Sequence, residues 1–117
     1  MIVVSRFRIG PHDSDSADGD SADFRREIEQ AHAALAARPG YVDGAVGRNV
    51  DDPALWLLTT RWENVGSYRR ALSSYDVKVA AVPLLSRALD EPSAYEPVGE
   101  RELNDAQPRR LGGRPPD

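Results

Sequence analysis

The apolar positions of this chain follow two periods. From Ile2 to Ile9 they alternate: Val3, Phe7 and Ile9 share one face with Ser5, and Ile2 and Val4 share the other with Arg6 and Arg8. Period two with β-branched residues predicts a strand, which Gly10-Pro11 ends. Over 22–38 the period becomes helical. Phe24, Ile28, Ala31 and Leu35 form one stripe, with Arg25, Arg26, Glu29 and Gln30 mostly off it. Asp20 or Ser21 is the expected N-cap, and Asp23 suits the positive start of the helix. Arg38-Pro39-Gly40 stops it, because proline cannot continue the ladder and glycine takes the turn. A second strand follows over 41–50, weakened by Gly44 and Gly47. Asp51-Asp52-Pro53 makes a tight turn into a third strand over 54–62, so the two form an antiparallel hairpin.

The third strand is apolar on both faces. Leu55, Leu57 and Thr59 point one way, and Trp56, Leu58, Thr60 and Trp62 the other. Such a strand is expected to be buried on both faces. Asn64 can cap a helix over 65–73 carrying Val65, Tyr68 and Leu72. A further helix runs over 74–89, with Val77, Ala81, Leu84 or Leu85 and Ala88 inward and a break near Val82 caused by Pro83. A short last strand covers 94–98, and Pro97 places it at an edge. The order is βαββαβ: an α+β, ferredoxin-like antiparallel sheet with helices on one face. The other face needs a cover, and a second copy of the same sheet is the cheapest one, giving a homodimer through sheet faces.

Composition narrows the class. The 117 residues suit one domain, placed at 1–98, followed by a tail over 99–117 rich in Pro and Gly and expected to be disordered. A net charge of −4 argues against a nucleic-acid partner. With no cysteine and two histidines, disulfides, thiolate nucleophiles and a three-histidine zinc site are excluded. No apolar run approaches the ~20 residues of a membrane span. The start lacks a basic region ahead of its apolar stretch, so a signal peptide is not expected and a cytoplasmic location is. Fourteen of the 15 basic side chains are arginine, Lys78 being the other. The acidic stretch 13–20 fails the spacing of a calcium loop and reads as a solvated loop. His32 lies beside the stripe of the first helix, half turned inward, and is the candidate histidine base. Arg6, Arg48 and Arg61 lie on strands and could hold an anion or pair with acids such as Glu63 and Asp43. By alternation Arg6 faces the side opposite Phe7, which argues against a catalytic role.

Arg38-Pro39-Gly40-Tyr41 before a strand, Leu57-Leu58-Thr59-Thr60-Arg61-Trp62-Glu63 at the end of another, and Glu91-Pro92-Ser93-Ala94-Tyr95-Glu96 closing the domain together resemble the antibiotic biosynthesis monooxygenase superfamily. The resemblance covers about residues 1–98. It implies a dimeric α+β barrel with a pocket in each subunit between sheet and helices. Some members are cofactor-free oxygenases acting on aromatic polyketides, and others degrade haem. The haem-degrading pattern wants an asparagine, a tryptophan and a histidine where this chain has Phe7, Ala71 and Ala81 or Val82, so haem degradation is disfavoured. The oxygenase reading needs no cofactor and no metal. It needs an apolar pocket for a flat substrate, for which Phe7, Trp62, Tyr68 and Tyr75 are the candidate lining. The expected function is a cofactor-independent monooxygenase acting on a small aromatic or quinone-like molecule. The alternatives are a non-catalytic small-molecule-binding or regulatory dimer of the same fold, or a purely structural dimer with a filled pocket.

Overall fold

The computed structural model describes residues 1–9, 17–99 and 103. Strand β1 (Ile2–Arg8) pairs antiparallel with β3 (Leu55–Trp62) along its whole length, from Ile2 opposite Arg61 to Arg8 opposite Leu55. The hairpin partner β2 (Tyr41–Arg48) lies outside β3, and β4 (Ala94–Tyr95) lies outside β1. The sheet order is therefore β2-β3-β1-β4 with every pair antiparallel, which is the ferredoxin-like arrangement the element order predicts.

Alternation assigns the faces as expected. Val3, Ser5 and Phe7 of β1 and Trp56, Leu58, Thr60 and Trp62 of β3 are buried together. The helices α1 (Ala17–Ala36), α2 (Val65–Ser73), α3 (Tyr75–Ala80) and α4 (Val82–Leu85) cover this face. They contribute Phe24, Ile28, Ala31 and Leu35 from α1, then Ala71, Val77 and Leu84. Leu55, Leu57 and Thr59 on the opposite face remain half-buried, and Arg61 is exposed.

Several boundaries differ from the sequence expectation. Helix α1 begins at Ala17, so Asp20 and Ser21 stand inside it rather than capping it. Once the packed stripe from Phe24 onward holds the helix, adding a preceding turn costs only near-neutral propagation. Of the acidic stretch 13–20, read from sequence as a solvated loop, residues 13–16 lie outside the described residues and 17–20 form the first turn of α1. Strand β2 stops at Arg48 because the Asn49 side chain builds the turn: its Oδ1 accepts from the backbone N–H of Asp51 and of Asp52, each at 2.8 Å. The helix expected over 74–89 is two short helices meeting at Ala81, since Pro83 has no N–H to donate back. It ends at Leu85, and the chain to Ser93 is irregular. Strand β4 is two residues long and pairs only with Ile2 and Val3 at the sheet edge. Of the tail, only Gly99 and Leu103 are described.

Two junctions are built as the sequence suggests. Asn64 Oδ1 accepts from the Ser67 N–H at 2.8 Å and caps α2. Gly40 adopts φ +89°, and a Cβ there would stand 2.3 Å from the Ser67 Cβ, so only glycine fits between α1 and the start of α2.

Candidate functional site

The short β4 leaves room for a cavity beside β1. Because β4 ends its pairing at Val3, the edge of β1 from Val4 onward is met, among the described residues, by the irregular segment 86–93. That segment touches β1 at two points: Val4 N–H donates to Ser93 O at 2.7 Å, and Leu89 N–H donates to Arg6 O at 2.8 Å. Its first residues stay hydrogen-bonded to α4, Ser86 N–H donating to Val82 O at 3.0 Å and Ala88 N–H to Leu85 O at 3.1 Å. Together with β1, α2 and α4 the segment borders a cavity of about 680 Å³, within the range typical of small-molecule sites. Tyr68 and Leu72 of α2 and Val82 and Leu85 of α4 form its apolar wall, and Ser5, Arg6, Asp90 and Glu91 supply polar groups.

Arg6 points to the open face, as alternation predicts, yet β1 lies so near the edge that its side chain also borders the cavity. It donates to both carboxylate oxygens of Glu91, each at 2.7 Å. This two-pronged bond, with the attraction of the opposite charges, holds the Glu91 carboxyl below its ordinary value and raises the Arg6 guanidinium. Tyr68 is half-buried, and burial pushes its phenol up. Its hydroxyl is a polar group inside an otherwise apolar wall, with no hydrogen-bond partner among the described residues.

The four aromatic residues singled out from sequence are dispersed. Tyr68 lines the cavity. Phe7 and Trp62 are each 2% exposed and sit in the core. Phe7 packs on Phe24, which meets Trp56 edge-on with ring centroids 5.3 Å apart. Trp62 lies behind Tyr68, with centroids 5.4 Å apart, and its Nε1–H donates to Thr60 Oγ1 at 2.8 Å. Tyr75 is 78% exposed at the start of α3. His32 does not line the cavity. Its Nε2 lies 2.6 Å from the Tyr41 hydroxyl, beneath α1 at the start of β2. Gly44 makes room for this pair, since a Cβ there would meet Thr59 O at 2.4 Å, the Tyr41 hydroxyl at 2.7 Å and His32 Nε2 at 3.0 Å. Of the strand arginines, Arg61 pairs with Asp43 through both oxygens, and Arg48 lies over the Trp56 ring. Among the described residues, no group of three or more His, Asp or Glu side chains is placed to hold a metal, and no helix is long and apolar enough to cross a membrane.

Sequence reasoning missed Tyr41 as the partner of His32 and Arg6 as a cavity residue. Arg6 and Glu91 are 85 positions apart, so no local pattern joins them. Tyr41 did carry a signal, being the first residue of a strand that starts right after the helix stop.

Comparisons with known proteins bear on the fold and the family. No curated protein is significantly similar in sequence. Among solved structures, SnoaB, a cofactor-independent oxygenase from Streptomyces nogalater, is 22% identical, with 85% of this chain and 96% of that one covered and a TM-score of 0.60. Rv0793 from Mycobacterium tuberculosis is 15% identical over 86% of this chain and 97% of its own, with a TM-score of 0.62. A conserved protein from Methanosarcina mazei Go1 is 20% identical over 80% and 84%, with a TM-score of 0.59. At such identities these structures attest the fold, while the family rests on the sequence itself. The antibiotic biosynthesis monooxygenase family model matches residues 15–82, which run from the start of α1 through the hairpin and α2 to the Pro83 break, and the chain belongs to that family.

Proposed function

We propose that this protein is a cofactor-independent monooxygenase that oxidises a small, electron-rich aromatic or quinone-like molecule in the cavity between β1, α2 and α4. The observation that carries the reading is the cavity itself: its size, its aliphatic wall and a half-buried phenol suit a flat substrate. Tyr68 would hold the substrate by its hydroxyl. The Arg6 guanidinium is the cation available to a phenolate or enolate, the form of such a substrate that reacts with oxygen. Asp90 and Glu91 are the carboxylates at the rim. The balanced reaction on an anthrone-type carbon converts CH2 and O2 to a carbonyl and water.

The half-buried face carrying Leu55, Leu57 and Thr59 supports a second part of the proposal, a homodimer formed sheet against sheet. Leu58 is 3% exposed on the helix side, so Leu57 is the residue to test. Leu57→Asp is expected to give a monomer by sedimentation, and a dimer that survives it refutes the sheet-to-sheet assembly.

The activity is tested by oxygen uptake with hydroxyanthrones, quinols and catechols under air. Oxidation faster than the uncatalysed reaction, with loss of rate in Tyr68→Phe, supports it. Saturable quenching of tryptophan fluorescence by the same compounds, without product, would assign the cavity to binding alone.

A further inference from the structure

We propose that Tyr68, Trp62, Tyr41 and His32 form a relay that carries one-electron oxidising equivalents from the cavity to the Tyr41–His32 pair. The four rings are contiguous. Tyr68 lines the cavity; Trp62 lies 5.4 Å behind it, Tyr41 meets Trp62 edge-on at 5.5 Å, and His32 follows at 5.9 Å, all centroid to centroid. These separations put neighbouring rings in van der Waals contact.

The hydrogen bonds give the chain a direction. Oxidising a phenol releases its proton, so a tyrosine becomes a sink for oxidation where a base stands ready. Tyr41 has that base in the Nδ1–H tautomer of His32, whose Nε2 is 2.6 Å from its hydroxyl. Trp62 does not, because its Nε1–H donates to the Thr60 hydroxyl, which is a poor proton acceptor. Oxidised Trp62 therefore keeps its proton and its positive charge, and remains strong enough an oxidant to pass the demand to Tyr41. The neighbouring aromatic cluster is built the other way. Phe7 and Phe24 are hard to oxidise, and the guanidinium groups of Arg48 and Arg87 lie 5.5 Å and 5.7 Å from the Trp56 and Phe24 ring centroids, opposing a further positive charge.

The natural oxidant is an oxygen-centred organic radical formed when an electron-rich substrate meets oxygen, and to that extent the relay rests on the oxygenase reading. The radical takes the hydrogen atom of the Tyr68 hydroxyl: the O–H bond of Tyr68 breaks and one forms on the oxidant. The Tyr68 phenoxyl regains an electron from Trp62 and a proton from cavity water. Trp62 regains its electron from Tyr41, whose phenolic proton passes to His32 Nε2. The net change is one electron lost by Tyr41, one gained by the oxidant, one proton taken from water and one delivered to His32.

The chain has no cysteine and four tyrosines, which makes the relay directly testable. Tyr75→Phe and Tyr95→Phe remove the two exposed phenols. Ser86→Cys, at an exposed cavity-lining position, then carries a tethered ruthenium photo-oxidant. After a flash with a sacrificial electron acceptor, time-resolved absorption and electron paramagnetic resonance are expected to show a long-lived tyrosyl radical with the lowered gx of a phenoxyl hydrogen-bonded to His32, which marks it as Tyr41 and not Tyr68. Tyr41→Phe and Trp62→Phe are each expected to abolish the long-lived signal, and Trp56→Phe to retain it. Survival of the signal in Tyr41→Phe or in folded Trp62→Phe, or its loss in folded Trp56→Phe, overturns the relay. Should Trp62→Phe fail to fold, Tyr41→Phe decides the matter, since it removes a single oxygen. The tether needs neither substrate nor oxygen, so failure of the relay and failure of the oxygen-uptake assay are separate results.

Discussion

Trp56 and Trp62 stand six positions apart on one face of β3, both buried, and would be interchangeable in any account based on burial alone. Their surroundings differ. Trp62 is 2% exposed, its Nε1–H is satisfied by Thr60, and it is flanked by two phenols, one of which reaches the cavity. Trp56 is 6% exposed, its Nε1 is buried without a hydrogen-bond partner among the described residues, and Phe24 and Arg48 pack on it. One end of the strand therefore closes a polar and aromatic chain leading from the cavity. The other end closes an apolar cluster with cations on its outside. Alternation put both indoles inward; the elements that cross above each one decided its chemistry.

The largest effect that can break the comparison is loss of either ring. Trp62→Ala and Trp56→Ala are each expected to cost about 3–5 kcal/mol in urea denaturation. A cost below about 1.5 kcal/mol at either site would mean that the ring is not core.

The next effect uses the two glycines of β2. Gly44 lies under the His32–Tyr41 pair, and Gly47 lies beside Trp56 with open space around its Cβ position. Gly44→Ala drives a methyl against the backbone oxygen of Thr59 and is expected to cost about 1–3 kcal/mol. Gly47→Ala is expected to be neutral or to stabilise by about 0.4–1 kcal/mol, because alanine restricts the unfolded chain. Equal effects at the two sites would contradict the packing described for the His32–Tyr41 pair.

A smaller difference concerns the indole N–H. Phenylalanine at position 62 strands the Thr60 hydroxyl, whereas at position 56 it removes a donor that has no partner. Trp62→Phe is therefore expected to cost about 1 kcal/mol more than Trp56→Phe, and the reverse order would mean that the Trp56 N–H is satisfied after all.

The smallest effect lies at the cavity rim. The pKa of Glu91 is lowered in the folded protein by its hydrogen bonds to Arg6 and their opposite charges. Its contribution is thus fully present above the ordinary value of 4.5 and is lost as pH falls through the depressed folded value. Glu91→Gln should flatten the acid limb of a stability-against-pH curve without abolishing it, because Asp43 and Asp52 are lowered in the same direction by Arg61 and Arg8. An unchanged acid limb would mean that the Arg6–Glu91 bond does not persist in solution.

The legibility of this protein follows the range of the forces involved. Strand and helix periods, the Asn64 cap, the stop at Gly40 and the break at Pro83 are set by residues within a few positions of one another, and they could be read directly. So could the two faces of β3, since alternation is a property of the backbone. The helix start at Ala17 was not, because propagation from a packed stripe overrode the local capping signal. Nor was the cavity. It lies where β4 pairs with only two residues and the following edge of β1 is left to an irregular segment. Its Arg6–Glu91 rim joins residues from opposite ends of the domain, and of the four aromatic residues singled out beforehand it takes up Tyr68, while Phe7 and Trp62 pack in the core and Tyr75 faces outward. The sequence by itself determined the element order, the inward face of each element and the family. The tertiary structure decided which inward side chains meet a cavity and which meet one another, because that depends on how far each element extends past its neighbour, a sum of long-range contacts that no local pattern records.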